Sequence, residues 1–515
     1  MSPNANGGLA RRLARDTMLV ASGRGASLLV WLVVTPAILR GLGPESFGIW
    51  SLYFALTSWL GALDMGFSQL ALRSVAAARA RGDQLEAGEF ATLSALGYVV
   101  LGLLWWALSP LLCTPALELL RVPEGLQSAA RFAFYSAPVA FILAGSGLTV
   151  VMVLQACERF DLAAVANLGI TLSQAVGILF ALHLGLGLPG VLGAVLLSYA
   201  IGLAVALLFV AVGAPGFRWA SPLVVGGRFR EALRFGGPLQ LANVLAVAHQ
   251  QVDKLLLARF AQLALVAPYE LGLRLATTMS SIPQMALSAV APAAAAMHAR
   301  EEHERSHRLF ERANRFVMSL TAVLAAALLG GGARLLEAWL GYPNALADVA
   351  LSGLVVAAFF ALASSPGAVM ARAAGRTDLE VVLSATALIV HLMLAAALIP
   401  RYQLLGAVAA TALGNAVGAV VFLGRLARVM RWSVLSVSLA WLVPLIACAA
   451  GAVCGRGLES HAPLAAGFWR LPSATLLPGV SALAALVVLV AMRFITREDL
   501  AGLRALSRVP VGVAR

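Results

Sequence analysis

The chain has 515 residues, 61% of them hydrophobic and only 12% charged, with a mean hydropathy of +0.89 and a formal net charge of +13. Soluble domains carry about 25% charged residues, so the composition excludes an ordinary water-soluble enzyme and describes an all-α integral membrane protein. The basic excess is spread as arginines between apolar runs, which fits topology determinants and not a nucleic-acid patch.

A bilayer core of about 30 Å needs roughly 20 apolar residues per helix, and about 14 transmembrane helices fit this length. The polar, basic start MSPNANGGLARRLARD leads into an uncleaved first span; no short apolar region with a small-residue cleavage site follows it. Spans are expected near 17–39, 46–72, 90–112, 129–153, 162–184, 189–211, 235–259, 266–295, 314–338, 347–371, 380–399, 404–424, 433–454 and 474–493.

Arg24 lies inside the first span between Gly23 and Gly25. Small flanking residues let a headgroup approach closely, and a guanidinium matches phosphate oxygens. The competing reading is an arginine that snorkels to the inner interface. Asp64, ahead of Met65 and Gly66 near the inner end of the second span, is placed either to take a proton or to bond a neighbouring helix end. Glu158, Arg159 and Asp161 form a tight inner turn suited to a gate or interface.

The stretch LRFGGPLQLANVLAVAHQQVDKLLLARF (233–260) is long enough to cross a bilayer yet polar along one side. Gln240, Asn243, Gln250 or Gln251, and Lys254 share a stripe at helical spacing. Lys254 is the only lysine of the chain. A charge near the bilayer centre costs about 2.5–3.5 kcal/mol or more and normally faces a bundle interior or wet cavity. This helix is therefore expected to wall a polar cavity. Asp253 points about 100° away from Lys254. On the next span Glu270 and Arg274 stand i,i+4 with the acid first, the favourable order for an intrahelical pair. These four charges are read either as a substrate or coupling-ion site or as a salt-bridge lattice.

Other intramembrane polar residues (Asn167, Gln174, Gln284, His391, Asn415) are expected to bond between helices. His298, His303 and His307 are interleaved with Glu301, Glu302 and Glu304 in a solvated loop, which argues against a metal site. The four cysteines form no CxxC pair and are read as packing residues. No Walker or dinucleotide motif appears, and the short outside loops carry no carboxylate pair, so neither a nucleotide motor, a cofactor nor a catalytic centre is expected.

With this span count, 26 arginines fall on the side of the N-terminus, 7 on the other, and four basic residues (Arg24, Lys254, Arg274, Arg334) within spans. The positive-inside rule then places both termini in the cytoplasm. The chain also repeats at an offset of a little over 210 residues: AAARARGDQLEAGEFATLSALGYVVLGLL resembles AAAMHAREEHERSHRLFERANRFVMSLTAVLAAALL. Six intervening helices give the copies one orientation, hence parallel repeats. The expected organisation is two six-helix lobes plus two C-terminal helices. The N-terminal lobe is 1–212, a cytoplasmic linker 213–234, the C-terminal lobe 235–432, and the last two spans with a cytoplasmic tail 433–515.

LGPESFGIWSL (42–52), LDMGFSQLALRSVA (63–76), LQACERFDLAAVANL (154–168), VDKLLLARF (252–260) and YELGLRLA (269–276) together resemble the oligosaccharide flippases of polysaccharide biosynthesis. These belong to the multidrug/oligosaccharidyl-lipid/polysaccharide exporter superfamily. The resemblance spans nearly the whole chain and rests on the order and spacing of loose motifs. It implies movement of undecaprenyl-diphosphate-linked sugar units from the inner to the outer leaflet of a bacterial cytoplasmic membrane by alternating access. It further implies membrane lipids, a polysaccharide polymerase or glycosyltransferases as partners, and a monomer. Related lipid II flippases and ion-coupled multidrug exporters are the alternatives, along with a membrane enzyme acting on lipid-linked sugars. A drug exporter favours carboxylates in its cavity, because its substrates are usually cations, whereas the basic groups here favour an anionic cargo.

Overall fold

The computed structural model describes residues 3–62, 67–221, 229–288, 290–433, 441–459, 473–492 and 494, and all regular structure among them is helical. The helices are α1 (Pro3–Ala62), α2 (Phe67–Ala80), α3 (Gln84–Leu119), α4 (Gln127–Ala156), α5 (Phe160–His183), α6 (Gly187–Gly213) and α7 (Phe229–Phe260). They continue as α8 (Val266–Ser288), α9 (Val290–Ala299), α10 (His303–Leu340), α11 (Ala345–Ala373), α12 (Asp378–Met430), α13 (Leu442–Gly457) and α14 (Leu476–Ala491). α1 is broken at Gly43, whose φ of 75° lies in the region open to glycine. α12 is broken at Gln403, with φ 48°, just after Pro400. Each break separates two spans, so all fourteen expected segments have a helical counterpart among the described residues.

Among the described residues eight helices are long and apolar enough to cross a membrane, and α13 and α14 are shorter apolar helices. α7 and α8 fall outside that set, and they are the helices that carry Asp253, Lys254, Glu270 and Arg274. Side chains compatible with lipid cover the outside: Leu103, Leu111, Val176, Phe180, Val212, Met393 and Leu483 are all exposed.

The chain divides into two compact units, Met1–Ala267 and Pro268–Arg515. In the first, α3 opens with Asp83 accepting the Glu86 N–H at 2.9 Å, and Glu86 returns to Arg81 as an ion pair. This satisfies an orphan donor at the helix start. After α6 the chain runs back along α3. Thr92 Oγ1 accepts the Ala220 N–H at 3.1 Å and donates to its carbonyl at 3.3 Å. Gly88 meets the Arg218 carbonyl there, where any Cβ would collide.

Each unit holds an apolar cluster near its arginine-rich end. Ala78, Val153, Leu154, Ala163 and Val210 belong to the first. Ala294, Val369, Met370, Leu379 and Leu426 belong to the second, every one 216 residues further on. Corresponding segments of the two halves thus supply the two cores.

The last two helices close on α10 through small residues. Gly451 and Gly455 of α13 and Gly330 and Gly331 of α10 approach Ser481 and Pro478 of α14 with no room for a Cβ, the close backbone packing that small-xxx-small patterns permit. Polar ties fix the same corner. Arg456 Nε donates to the Leu329 carbonyl at 2.8 Å, and its Nη2 to Ser352 at 2.8 Å. Arg334 pairs with Glu337 at 3.2 Å and Glu459 at 3.7 Å. This corrects the sequence reading of Arg334 as a spare cation: two carboxylates answer it, and it serves as a tie.

Candidate functional site

α7 packs against α1 and α2 within the first unit. Asp253 is fully buried and Lys254 is 4% exposed, so these two adjacent charged groups are withdrawn from the surroundings. Burying a charge is unfavourable unless it is paired and hydrogen-bonded, and each of the two has a polar or electrostatic contact. One turn earlier on the stripe, Gln250 is exposed. Its neighbour Gln251 has a buried Oε1 with no hydrogen-bond partner among the described residues. An orphan acceptor of that kind invites an explanation by a ligand or water.

In the second unit Arg274 Nε donates to Glu270 Oε1 at 3.1 Å, the i,i+4 pair that the sequence spacing suggests. Glu270 is buried and Arg274 about one-fifth exposed along its side chain. Gly272, on the opposite side of α8, lies against the backbone of Ala350 and Leu351, which seats that side on α11. Arg24 and Asn243 sit on α1 and α7, but their side chains lie outside the described residues, and Asp64 lies outside them altogether. Asn415 donates to the Ala357 carbonyl at 3.0 Å and His391 is fully buried, as helix-bonding groups are. Asn167 and Gln284 instead face outward. Among the described residues no three His, Cys, Asp or Glu side chains converge as metal ligands.

The inner turn holds a feature the sequence reading only half found. Arg159 clamps Asp161 through Nε to Oδ1 at 3.1 Å and Nη2 to Oδ2 at 3.0 Å, and its Nη1 caps the Gly213 carbonyl at 3.2 Å. The residue before it, Glu158, is left-handed at φ 60° and exposed. In the second unit Arg376 clamps Asp378 with the same two atoms at 2.9 and 2.8 Å, after a left-handed Gly375. The signal was the recurrence of Arg-x-Asp 217 residues apart, CERFDL against AGRTDL. In both clamps the guanidinium hydrogen bond holds the aspartate below its ordinary range. A carboxylate depressed in the folded state adds stability above its unfolded pKa and loses it as pH falls through the folded value. Both pairs are exposed, so the effect is small. Asp161→Asn should lower the melting temperature slightly at pH 7, and the difference from the unmodified protein should begin to shrink near about pH 4 and vanish only below the depressed folded value. A difference that persists there would remove the clamp as its cause.

A second feature with no warning in the sequence is a cavity of about 290 Å³ in the first unit, lined by Tyr53, Thr57, Ser58, Tyr98, Phe141 and Tyr199. Thr57 and Ser58 donate to the Phe54 carbonyl at 3.0 and 2.7 Å, leaving hydroxyl oxygens able to accept. The lining is aromatic and hydroxylated and carries no charged side chain.

A family model described as polysaccharide biosynthesis protein matches residues 13–298. No curated protein matches the sequence significantly. Among solved structures, an inward-facing multidrug resistance MATE family transporter of the MOP superfamily is 16% identical. The match covers 78% of this chain and 94% of that one, with a TM-score of 0.67. The lipid II flippase MurJ in an inward closed conformation is 11% identical over 95% of this chain and all of that one (100%), also at 0.67. A MOP superfamily transporter from Pyrococcus furiosus is 17% identical over 83% and 95%, at 0.59. At such identities the likeness establishes a fold shared with membrane transporters and flippases, and with the apolar helices it makes this an integral membrane protein. The match over more than half of its length places the chain in the polysaccharide biosynthesis protein family.

Proposed function

We propose that this protein is a flippase that carries a lipid-linked oligosaccharide, joined to its polyprenol through a diphosphate, from the inner to the outer leaflet of a bacterial cytoplasmic membrane. The observation that carries the reading is the buried Lys254 on the polar stripe of α7, in a chain of the polysaccharide biosynthesis family. A diphosphate leaving water needs compensating positive charge, and Lys254, Arg274 and Arg24 are the basic groups within spans that would supply it. Gln250 and Asn243 would add hydrogen bonds along the same stripe. The hydroxylated aromatic cavity of the first unit suits a neutral sugar ring, since aromatic faces and hydroxyls bind such rings without charge. Asp64, Asp253, Glu270, Glu158 and Arg159 are assigned to ion coupling or gating.

The termini are placed in the cytoplasm by the arginine asymmetry, 26 against 7. The protein acts as a transporter without a catalytic step, as a monomer. Polymerase and glycosyltransferases of the same route supply and consume its cargo. A second reading, export of small molecules, draws on the likeness to multidrug transporters. Depletion of the protein from its own cells separates the two. Lipid-linked oligosaccharide should accumulate on the inner leaflet, several-fold above the undepleted level. Unchanged lipid-linked pools together with retention of small cationic drugs would overturn the flippase reading.

A further inference from the structure

The two repeats do not match everywhere. The turn between α9 and α10 has the form of the turn between α2 and α3, with Glu301 left-handed where Gly82 is, 219 residues earlier, but its side chains differ. That segment brings His298, His303 and His307 to one place. With Arg308, Arg376 and Arg431 they line an open cavity of about 900 Å³ at the arginine-rich end of the second unit.

Its other walls are apolar. Met297, Met370, Val429 and Met430 contribute side chains, and Trp432 stacks on Phe310 at 4.7 Å and lies 4.9 Å from His307. The end of α12 aims the last cation. Arg431 is left-handed at φ 58°, and the Trp432 N–H closes the turn on the Ala427 carbonyl at 2.8 Å.

The charges decide the ligand. Glu302 is answered by Arg305 at 3.1 Å, Glu304 by Arg308 at a loose 3.7 Å, and Arg376 by Asp378. His307 has Glu311 at 3.9 Å. Arg431 has no carboxylate partner among the described residues. The lining carboxylates are thus already matched, while one guanidinium and the imidazoles of His298 and His303 stand over an apolar floor. On α10 the lining residues His303 to Arg308 belong to the polar stretch HERSHRLFERANR, about two turns before the apolar run begins, the side on which lipid headgroups would lie.

We propose that this cavity is a binding site for a phosphate group attached to an apolar body, supplied by the headgroup of an anionic membrane phospholipid. Arg431 and Arg308 would hold the phosphate oxygens, and Trp432 with the methionines would meet the glycerol and first acyl carbons. The proposal stands independently of the cargo assigned above.

The test is retention of phosphatidylglycerol against phosphatidylcholine by the full-length protein, read by native mass spectrometry after purification in neutral detergent. Unmodified protein should retain phosphatidylglycerol at least fivefold over phosphatidylcholine. Arg431→Gln, Arg308→Gln and Trp432→Ala should each reduce that preference at least threefold. Arg121→Gln, in the first unit and outside this cavity, serves as a control and should not. Inorganic phosphate at millimolar levels should leave the lipid bound; displacement by it would overturn the lipid source in favour of a free phosphate. Equal retention of the two lipids, or a preference untouched in all three variants, would overturn the site. Should one variant fail to fold, the other two still read it.

Discussion

Replacing Lys254 by methionine is expected to reduce delivery of lipid-linked oligosaccharide to the outer leaflet at least tenfold while lowering the melting temperature little. Lys254, 4% exposed within a membrane protein, has given up its hydration and keeps a polar or electrostatic contact. Methionine removes both the desolvation penalty and that contact, and the two effects oppose. If the ammonium only stabilised the fold, transport and melting temperature would fall together. If it meets the diphosphate, transport falls alone, and Lys254→Arg restores part of it because a guanidinium also binds phosphate oxygens. Wild-type delivery by the methionine variant would remove Lys254 from the cargo site. A parallel loss of stability and transport would make it a structural group.

Gly331→Val should be the most destabilising single substitution in the C-terminal corner. A Cβ there collides with Pro478 of α14, and one at Gly455 with Ser481 and the Gly330 backbone. Overpacking a tight site costs about 1–3 kcal/mol, and a valine adds two methyl groups beyond the Cβ. α13 and α14 should lose their seat on α10, seen as a lower melting temperature and faster proteolysis after residue 433. Gly457→Val is the matched control, because a Cβ at Gly457 meets nothing within 4 Å. Equal behaviour of the two variants would mean that the corner tolerates repacking and that the ties from Arg334 and Arg456 hold it instead.

Much of the architecture was readable in the chain because spans leave a plain signal: apolar runs of the right length, with Gly43 or Pro400 at the breaks between them. The repeat was readable for a similar reason, since its charged loop segments recur in order. Side-chain roles were less legible. Arg334 was counted with the intramembrane cations although Glu337 stands i,i+3 from it on the same helix; only its second partner, Glu459, 125 residues away, lies beyond any spacing rule. The clamp at Arg376 and Asp378 escaped notice because Arg-x-Asp is too short to stand out without its twin at Arg159 and Asp161. The hydroxylated cavity escaped for a different reason. Tyr53, Tyr98 and Tyr199 converge from α1, α3 and α6, and no local pattern marks side chains that meet only through packing. Glu270 and Arg274 were legible because their pair is confined to one helix face.

The most direct test of the central claim uses purified protein in vesicles. Undecaprenyl-diphosphate carrying a short labelled glycan is placed in one leaflet, and the label reaching the other is cut by an impermeant glycosidase. Unmodified protein should expose the glycan many times faster than protein-free vesicles, and the same glycan on a neutral lipid, lacking the diphosphate, should cross no faster than background. Equal crossing of the neutral and diphosphate lipids, or no crossing above protein-free vesicles, would contradict a flippase that recognises its cargo through buried positive charge.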